Sequence, residues 1–178
     1  YEGGLDRVMF AGRLAAEKRI DAIIDAARGL PNITFSIAGD GPLRNEVEVA
    51  AASIANVNYL GWLDREELRR QVDEHHALVL PSHFESFGTI ALEAMARNRV
   101  VIVSKGTGIS NWPELARGFV TIDEYSDLTS TLSRLADAAL DWRKALAGRA
   151  LEAAKSFNND NIARWEQLLL RTAKRAAL

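Results

Sequence analysis

The chain has 178 residues, 48% of them hydrophobic, with 22 basic and 24 acidic side chains and a formal net charge of −2. That length supports one well-buried core and is too short for two domains of ordinary size, and the balanced charge supplies no basic field for a nucleic acid. With no cysteine there is no disulfide, thiolate zinc site or cysteine nucleophile. No run of 18 apolar residues occurs, and charged residues at Asp6, Arg7, Arg13, Glu17 and Lys18 argue against a spanning helix or a signal peptide.

Taken in chain order, β-branched apolar runs alternate with amphipathic ones. The patterns predict strands at 8–11, 33–38, 57–60, 77–80, 100–103 and 119–122, with helices at 20–29, 43–54, 65–75 and 88–97 between them. A further helix is expected at 128–142. Beyond Lys144 the chain reads as helical with a break at 156–160, where Asn158, Asn159 and Asp160 make an N-cap cluster for a last helix at 161–176. This spacing builds right-handed βαβ crossovers, so the expected class is α/β: a doubly wound, parallel, six-stranded Rossmann-like sheet with C-terminal helices, one domain over residues 1–178. The chain opens almost directly on a strand and is expected to be a piece of something longer.

In open sheets of this kind ligands bind beyond the carboxyl ends of the strands, which directs attention to the loops at 12–19, 39–43, 61–64, 81–89 and 104–113. The first places Arg13 and Lys18 near the start of a helix, where free N–H groups and partial positive charge attract phosphate; solvated cations or a local salt bridge would account for them equally. It carries neither a dinucleotide G-x-G-x-x-G nor a P-loop pattern. In the second loop Gly39 and Gly41 permit positive φ and close approach of a flat ligand, or serve simply as punctuation, and Pro42 suits a first helical turn. The fourth loop leads through Glu85 into a helix whose residues from Thr89 to Ala96 are all apolar except Thr89 and Glu93. That helix is expected in the interior, and a carboxylate there needs a partner, in another residue or in a ligand. Amides near Gly88 and Thr89 can cradle a diphosphate while Glu85 and Glu93 grip vicinal hydroxyls, the pattern of a sugar-nucleotide site. A metal is unsupported, because His75, His76 and His83 lack ligand spacing. A glycosidase pair of carboxylates would have no use for phosphate donors.

The ordered elements Gly12-Arg13-Leu14 with Glu17-Lys18, then Gly39-Asp40-Gly41-Pro42, Gly61, and Pro81-Ser82 leading to Glu85-Ser86-Phe87-Gly88-Thr89-Ile90-Ala91-Leu92-Glu93 resemble the group-1 retaining glycosyltransferases of the GT-B fold, family 4. The resemblance runs from about Arg7 to Ile122. It implies the C-terminal, donor-binding half of a two-domain enzyme whose N-terminal acceptor domain lies outside this chain, so that the isolated half binds donor but is inactive or nearly so. It also implies a hexosyl transfer from a nucleoside diphosphate sugar, such as a UDP or GDP sugar, with retention and without metal or cofactor. Preorganised donors would replace the metal, each worth about 3 kcal/mol. Arg13 and Lys18 would hold the diphosphate, with Gly12, Gly39 and Gly41 as walls; Glu85 and Ser86 would meet the sugar, the amides of Phe87, Gly88, Thr89 and Ile90 sugar and phosphates, Glu93 the ribose, and Trp62 and Leu63 the base. Arg13, Lys18 and Glu85 would be the catalytic set. The family's setting implies polysaccharide or glycolipid synthesis in the cytoplasm, or peripherally at the inner face of a membrane through the missing domain. Where the family often has Gly-Gly-x-Pro-Glu, residues 106–114 read Gly-Thr-Gly-Ile-Ser-Asn-Trp-Pro-Glu, altering the loop beside the sugar. A non-catalytic sugar-nucleotide-binding module or partner subunit is the alternative, and Trp165, Leu168 and Leu169 of the last helix are expected to be partly uncovered or packed on the sheet.

Overall fold

The computed structural model describes residues 3–123 and 128–176, the stretch from 163 onward through its backbone. In chain order it contains β1 (Arg7–Ala11), α1 (Ile20–Gly29), β2 (Thr34–Ala38), α2 (Arg44–Ser53), β3 (Val57–Gly61), α3 (Arg65–Glu74), β4 (Ala77–Leu80), α4 (Thr89–Ala96), β5 (Val100–Ser104), β6 (Val120–Ile122), α5 (Leu128–Asp137) and α6 (Leu140–Ala176). The six strands form one parallel sheet in the order β3-β2-β1-β4-β5-β6. Strand order reverses between β1 and β4. Right-handed crossovers put α1 and α2 on one face and α3 and α4 on the other, α5 packs against α1, and α6 packs against α4 and β5.

The central strands carry near-continuous apolar runs, at 8–11, 77–80 and 100–103, because both faces are covered. Every residue of β4 and β5 is buried, and Phe10 pairs in register with Ile37 where β1 meets β2. Each fully buried Val, Ile, Leu or Phe contributes roughly 1.5–3 kcal/mol, which is why these runs were readable as strands. Between β2 and β3 the register slips after Ile37, so that Ala38 pairs with Gly61 and the chain beyond β3 is re-aimed at the loop after β2.

Three expectations about the helices are corrected. The helix expected at 128–142 stops at Asp137: the buried Arg143 guanidinium donates to the carbonyls of Leu135, Ala136 and Ala138 at 3.2, 2.7 and 2.5 Å, closing the end of α5 as a cap. The break expected at 156–160 is absent, and α6 runs 37 residues without interruption. Its buried Leu146, Ala147, Ala150, Ala153 and Ala154 fasten it to the core, Phe157 joins an aromatic cluster, and exposed Asn158, Asn159 and Asp160 face water, so tertiary packing outweighs their capping preference. Nor is α4 wholly interior: Ala91, Ala94 and Met95 are buried, Ile90, Leu92 and Glu93 are half-buried, and Thr89 and Ala96 are exposed. The expectation for Trp165, Leu168 and Leu169 lies outside the described side chains.

Candidate functional site

Where the strand order reverses, the loops after β1, β2, β3 and β4 enclose a cleft of about 480 Å³. The end of β1 and the loop after it contribute Ala11, Gly12 and Arg13, the end of β2 and its loop Ala38, Gly39 and Asp40, and the loop after β3 Trp62 and Leu63. Leu68 comes from α3, and Glu85, Gly88, Thr89 and Ile90 come from the β4 loop and the start of α4. Lys18, Gly41, Ser86, Phe87 and Glu93, also named from the sequence, stand just outside this lining. Trp62 is 74% exposed, so the cleft carries an uncovered aromatic ring.

Gly88, Thr89 and Ile90 bring the backbone at the start of α4 to the cleft, and Ser86 and Phe87 lead into it. Amides of residues 86–90 donate to no protein acceptor among the described residues, while the next amide, of Ala91, bonds the Gly88 carbonyl at 2.8 Å. Five successive free N–H groups at a helix start constitute an anion site in both geometry and dipole. Gly88 makes the turn possible: it sits at φ 90°, and a Cβ there would lie 2.9 Å from Thr107 Cγ2. Gly39, at φ 134°, lets the loops after β1 and β2 touch, since a Cβ would fall 1.8 Å from the Gly12 carbonyl oxygen. Tyr59 Oη donates to the Gly39 carbonyl at 3.0 Å and steadies that wall.

Both cations are paired with carboxylates. Arg13 bonds Glu17, whose carboxyl is held below its ordinary value first by its own backbone amide, which burial opposes, and then by the Arg13 guanidinium. Lys18 Nζ lies 2.5 Å from Glu85 Oε2 and 3.3 Å from the Phe84 carbonyl. The first helix was expected to aim its N-terminus at this site. Instead a 3₁₀ turn at Ala16–Lys18 and a left-handed Arg19, φ 55°, intervene, and Ile20 opens on a separate groove against α2; the helix start that faces the cleft is that of α4. Pro42 precedes α2 rather than entering its first turn. Glu93 lies one turn into α4, half-buried, and no hydrogen bond or ion pair holds its carboxylate among the described residues.

The altered loop after β5 braces the β4 loop, a role not anticipated from the sequence. Glu85 N–H donates to the Gly106 carbonyl at 3.0 Å, its carbonyl accepts from Gly108 at 2.8 Å, and the Phe87 carbonyl accepts from Ile109 at 2.7 Å. Buried Thr107 donates to the Leu80 carbonyl at 3.2 Å and meets Ser104 Oγ at 3.2 Å. Phe87, Trp112 and Phe157 pack ring against ring at centroid distances of 5.1 to 6.3 Å, tying α6 to the same loop. Alternating Gly106 and Gly108 was the available signal: side chains there would strike the carbonyl oxygens of His83 and Ser86 at 2.2 and 2.0 Å. Leu68, also missed, follows from α3, which turns its apolar side, Leu68 and Val72, toward the protein.

His75 and His76 serve structure. His75 Nε2 is 2.8 Å from Ser36 Oγ and its Nδ1 2.6 Å from the Gln71 carbonyl, while His76 meets Asp6 and Arg7, all near the amino ends of the strands. Among the described residues no three His, Asp or Glu side chains group as a metal site, and no helix is long and apolar enough to cross a membrane.

A parallel sheet with an amide-lined, cation-flanked cleft at its switch point defines a Rossmann-like domain of the GT-B kind. The chain belongs to the group 1 glycosyl transferases, whose family model matches residues 3–122. It is similar to an uncharacterized glycosyltransferase of Methanocaldococcus jannaschii, 27% identical over 97% of this chain and 48% of the relative. It is also similar to the alpha-D-kanosaminyltransferase of Streptomyces kanamyceticus, 29% identical over 83% of this chain and 41% of that protein. The chain thus spans about half the length of these curated relatives. Among solved structures, Anabaena HepE in complex with UDP shares the fold with a TM-score of 0.75 at 19% identity, covering 92% of this chain and 49% of that one.

Proposed function

We propose that this chain is the donor-binding half of a retaining, metal-independent glycosyltransferase that moves a hexose from a nucleoside diphosphate sugar to a glycan, lipid or small-molecule acceptor, with an acceptor-binding half supplied by sequence outside it. One observation carries the reading: the start of α4, with the unpartnered amides of Gly88, Thr89 and Ile90, meets Arg13 and Glu85 in one cleft at the switch point. The amides of Phe87 to Ile90 and the two cations hold the diphosphate, whose leaving charge they stabilise at the moment of transfer. Glu85 meets the sugar. Glu93, tilted toward the start of its helix, accepts from the ribose hydroxyls, which supply hydrogen-bond donors to its carboxylate. Trp62, Leu63 and Leu68 border the base. The UDP held by HepE and the glycosyl transfer named for the kanosaminyl relative support the ligand class.

Titration calorimetry with UDP and GDP tests this. One of the two is expected to bind, and Arg13→Ala, Lys18→Ala and Glu93→Ala each weaken it at least tenfold, about 1.4 kcal/mol. Affinity unchanged in all three variants overturns the assignment.

A further inference from the structure

The position of Glu85 relative to Lys18, on the donor reading above, adds a selection between two ligands that share a diphosphate. Glu85 lines the cleft and Lys18 does not; the ammonium is bonded to Glu85 Oε2 at 2.5 Å and to the Phe84 carbonyl at 3.3 Å. The two side chains are 12% and 24% exposed, so this is a pair held mostly out of water rather than a surface contact. The other carboxylate oxygen has only the Ser86 hydroxyl, at 3.4 Å. The Glu85 backbone is fixed on both sides by Gly106 and Gly108, so the carboxylate changes partner by rotating its side chain while the loop stays in place.

A nucleoside diphosphate by itself takes Lys18 from Glu85 and leaves a half-buried carboxylate beside new negative charge with only the Ser86 hydroxyl at 3.4 Å to bond it, a loss not made good. A nucleoside diphosphate sugar takes the same ammonium but brings hydroxyl donors to the released carboxylate. We infer that Glu85 is the residue by which the cleft distinguishes sugar-bearing donor from sugar-free nucleoside diphosphate: its pair with Lys18 penalises the diphosphate alone, and the hexose hydroxyls remove the penalty. The same exchange drives off the nucleoside diphosphate once the sugar has left.

Calorimetric titration of wild type and Glu85→Gln with UDP and UDP-glucose, and with GDP and GDP-mannose, reads this directly. The neutral amide releases Lys18, so the sugar-free nucleotide is expected to bind roughly tenfold more tightly to Glu85→Gln than to wild type, and the advantage of its sugar conjugate is expected to shrink. In Glu85→Gln combined with Lys18→Met the gain disappears, because it acts through the freed ammonium; thermal melts confirm that each variant is folded. If wild type binds the nucleotide and Glu85→Gln binds it no better, the exchange is refuted while the donor site stands. Binding of none of the four ligands to wild type would instead refute the donor reading and this inference with it.

Discussion

Replacing Gly88 with Ala tests whether the amide row at the start of α4 depends on one left-handed turn. At φ 90° an L-residue is strained by about 1–2 kcal/mol. The added Cβ meets Thr107 Cγ2 at 2.9 Å and Leu80 Cδ1 at 3.2 Å, both on buried residues with little room to retreat, an overpacking worth about 1–3 kcal/mol. Together these give a loss of roughly 2–5 kcal/mol, measured by urea denaturation at constant m-value. The steric share can be isolated. Thr107→Ser removes the methyl group and keeps the hydroxyl that bonds Leu80, at an expense of about 1 kcal/mol. In that background Gly88→Ala should cost at least about 1 kcal/mol less than in wild type, the remainder being backbone strain. Because the five amides change direction with the turn, nucleotide affinity should also drop in Gly88→Ala and recover in part with Thr107→Ser. A penalty below about 1 kcal/mol in wild type, or equal penalties in the two backgrounds, would show that neither the φ nor the Thr107 contact governs this turn.

Two further predictions concern the frame around the cleft. Asp64 caps α3 by accepting from the Glu66 and Glu67 amides at 2.9 and 2.8 Å, so Asp64→Ala should cost about 1 kcal/mol and lower Tm by about 2–4 °C, with Asp64→Asn restoring most of it; equal melting of the Ala and Asn variants would discredit the cap. Burial is the main force holding both His75 and His76 below their ordinary value of 6.5. The unfolded chain therefore binds more protons than the folded one as pH falls below that value, and stability should decline from pH 7.5 toward pH 5.5 with a slope of up to about 1.4 kcal/mol per pH unit for each histidine. Melts over that range in wild type and in a His75→Asn, His76→Asn double variant check this, and an equally steep profile in the double variant would assign the effect to other groups.

Strand positions were legible to within a residue or two because a parallel sheet covered on both faces demands unbroken apolar runs, and Val100 to Val103 can hardly be anything else. The cleft loops followed from the strands. What could not be read was partnership across the fold. Nothing local pairs Lys18 with Glu85, 67 positions away, or brings Thr107 under Gly88. The end of α5 is set by a guanidinium from the next helix, with neither Gly nor Pro to announce it. Conversely, Asn158, Asn159 and Asp160 announce a helix start that packing by Phe157 and the alanines before it overrides. Local signals lose wherever a distant contact is stronger.

The polarity of the sheet also separates two kinds of engineering. The carboxyl ends of β1 to β4 face the cleft, and His75 and His76 with Asp6 and Arg7 gather near the opposite edge. The strands between are mostly five residues long, roughly 15 Å at the rise of an extended chain. Acid tolerance can therefore be adjusted at one margin of the molecule by substitutions that leave ligand selection at the other untouched, and the two sets of changes should combine additively.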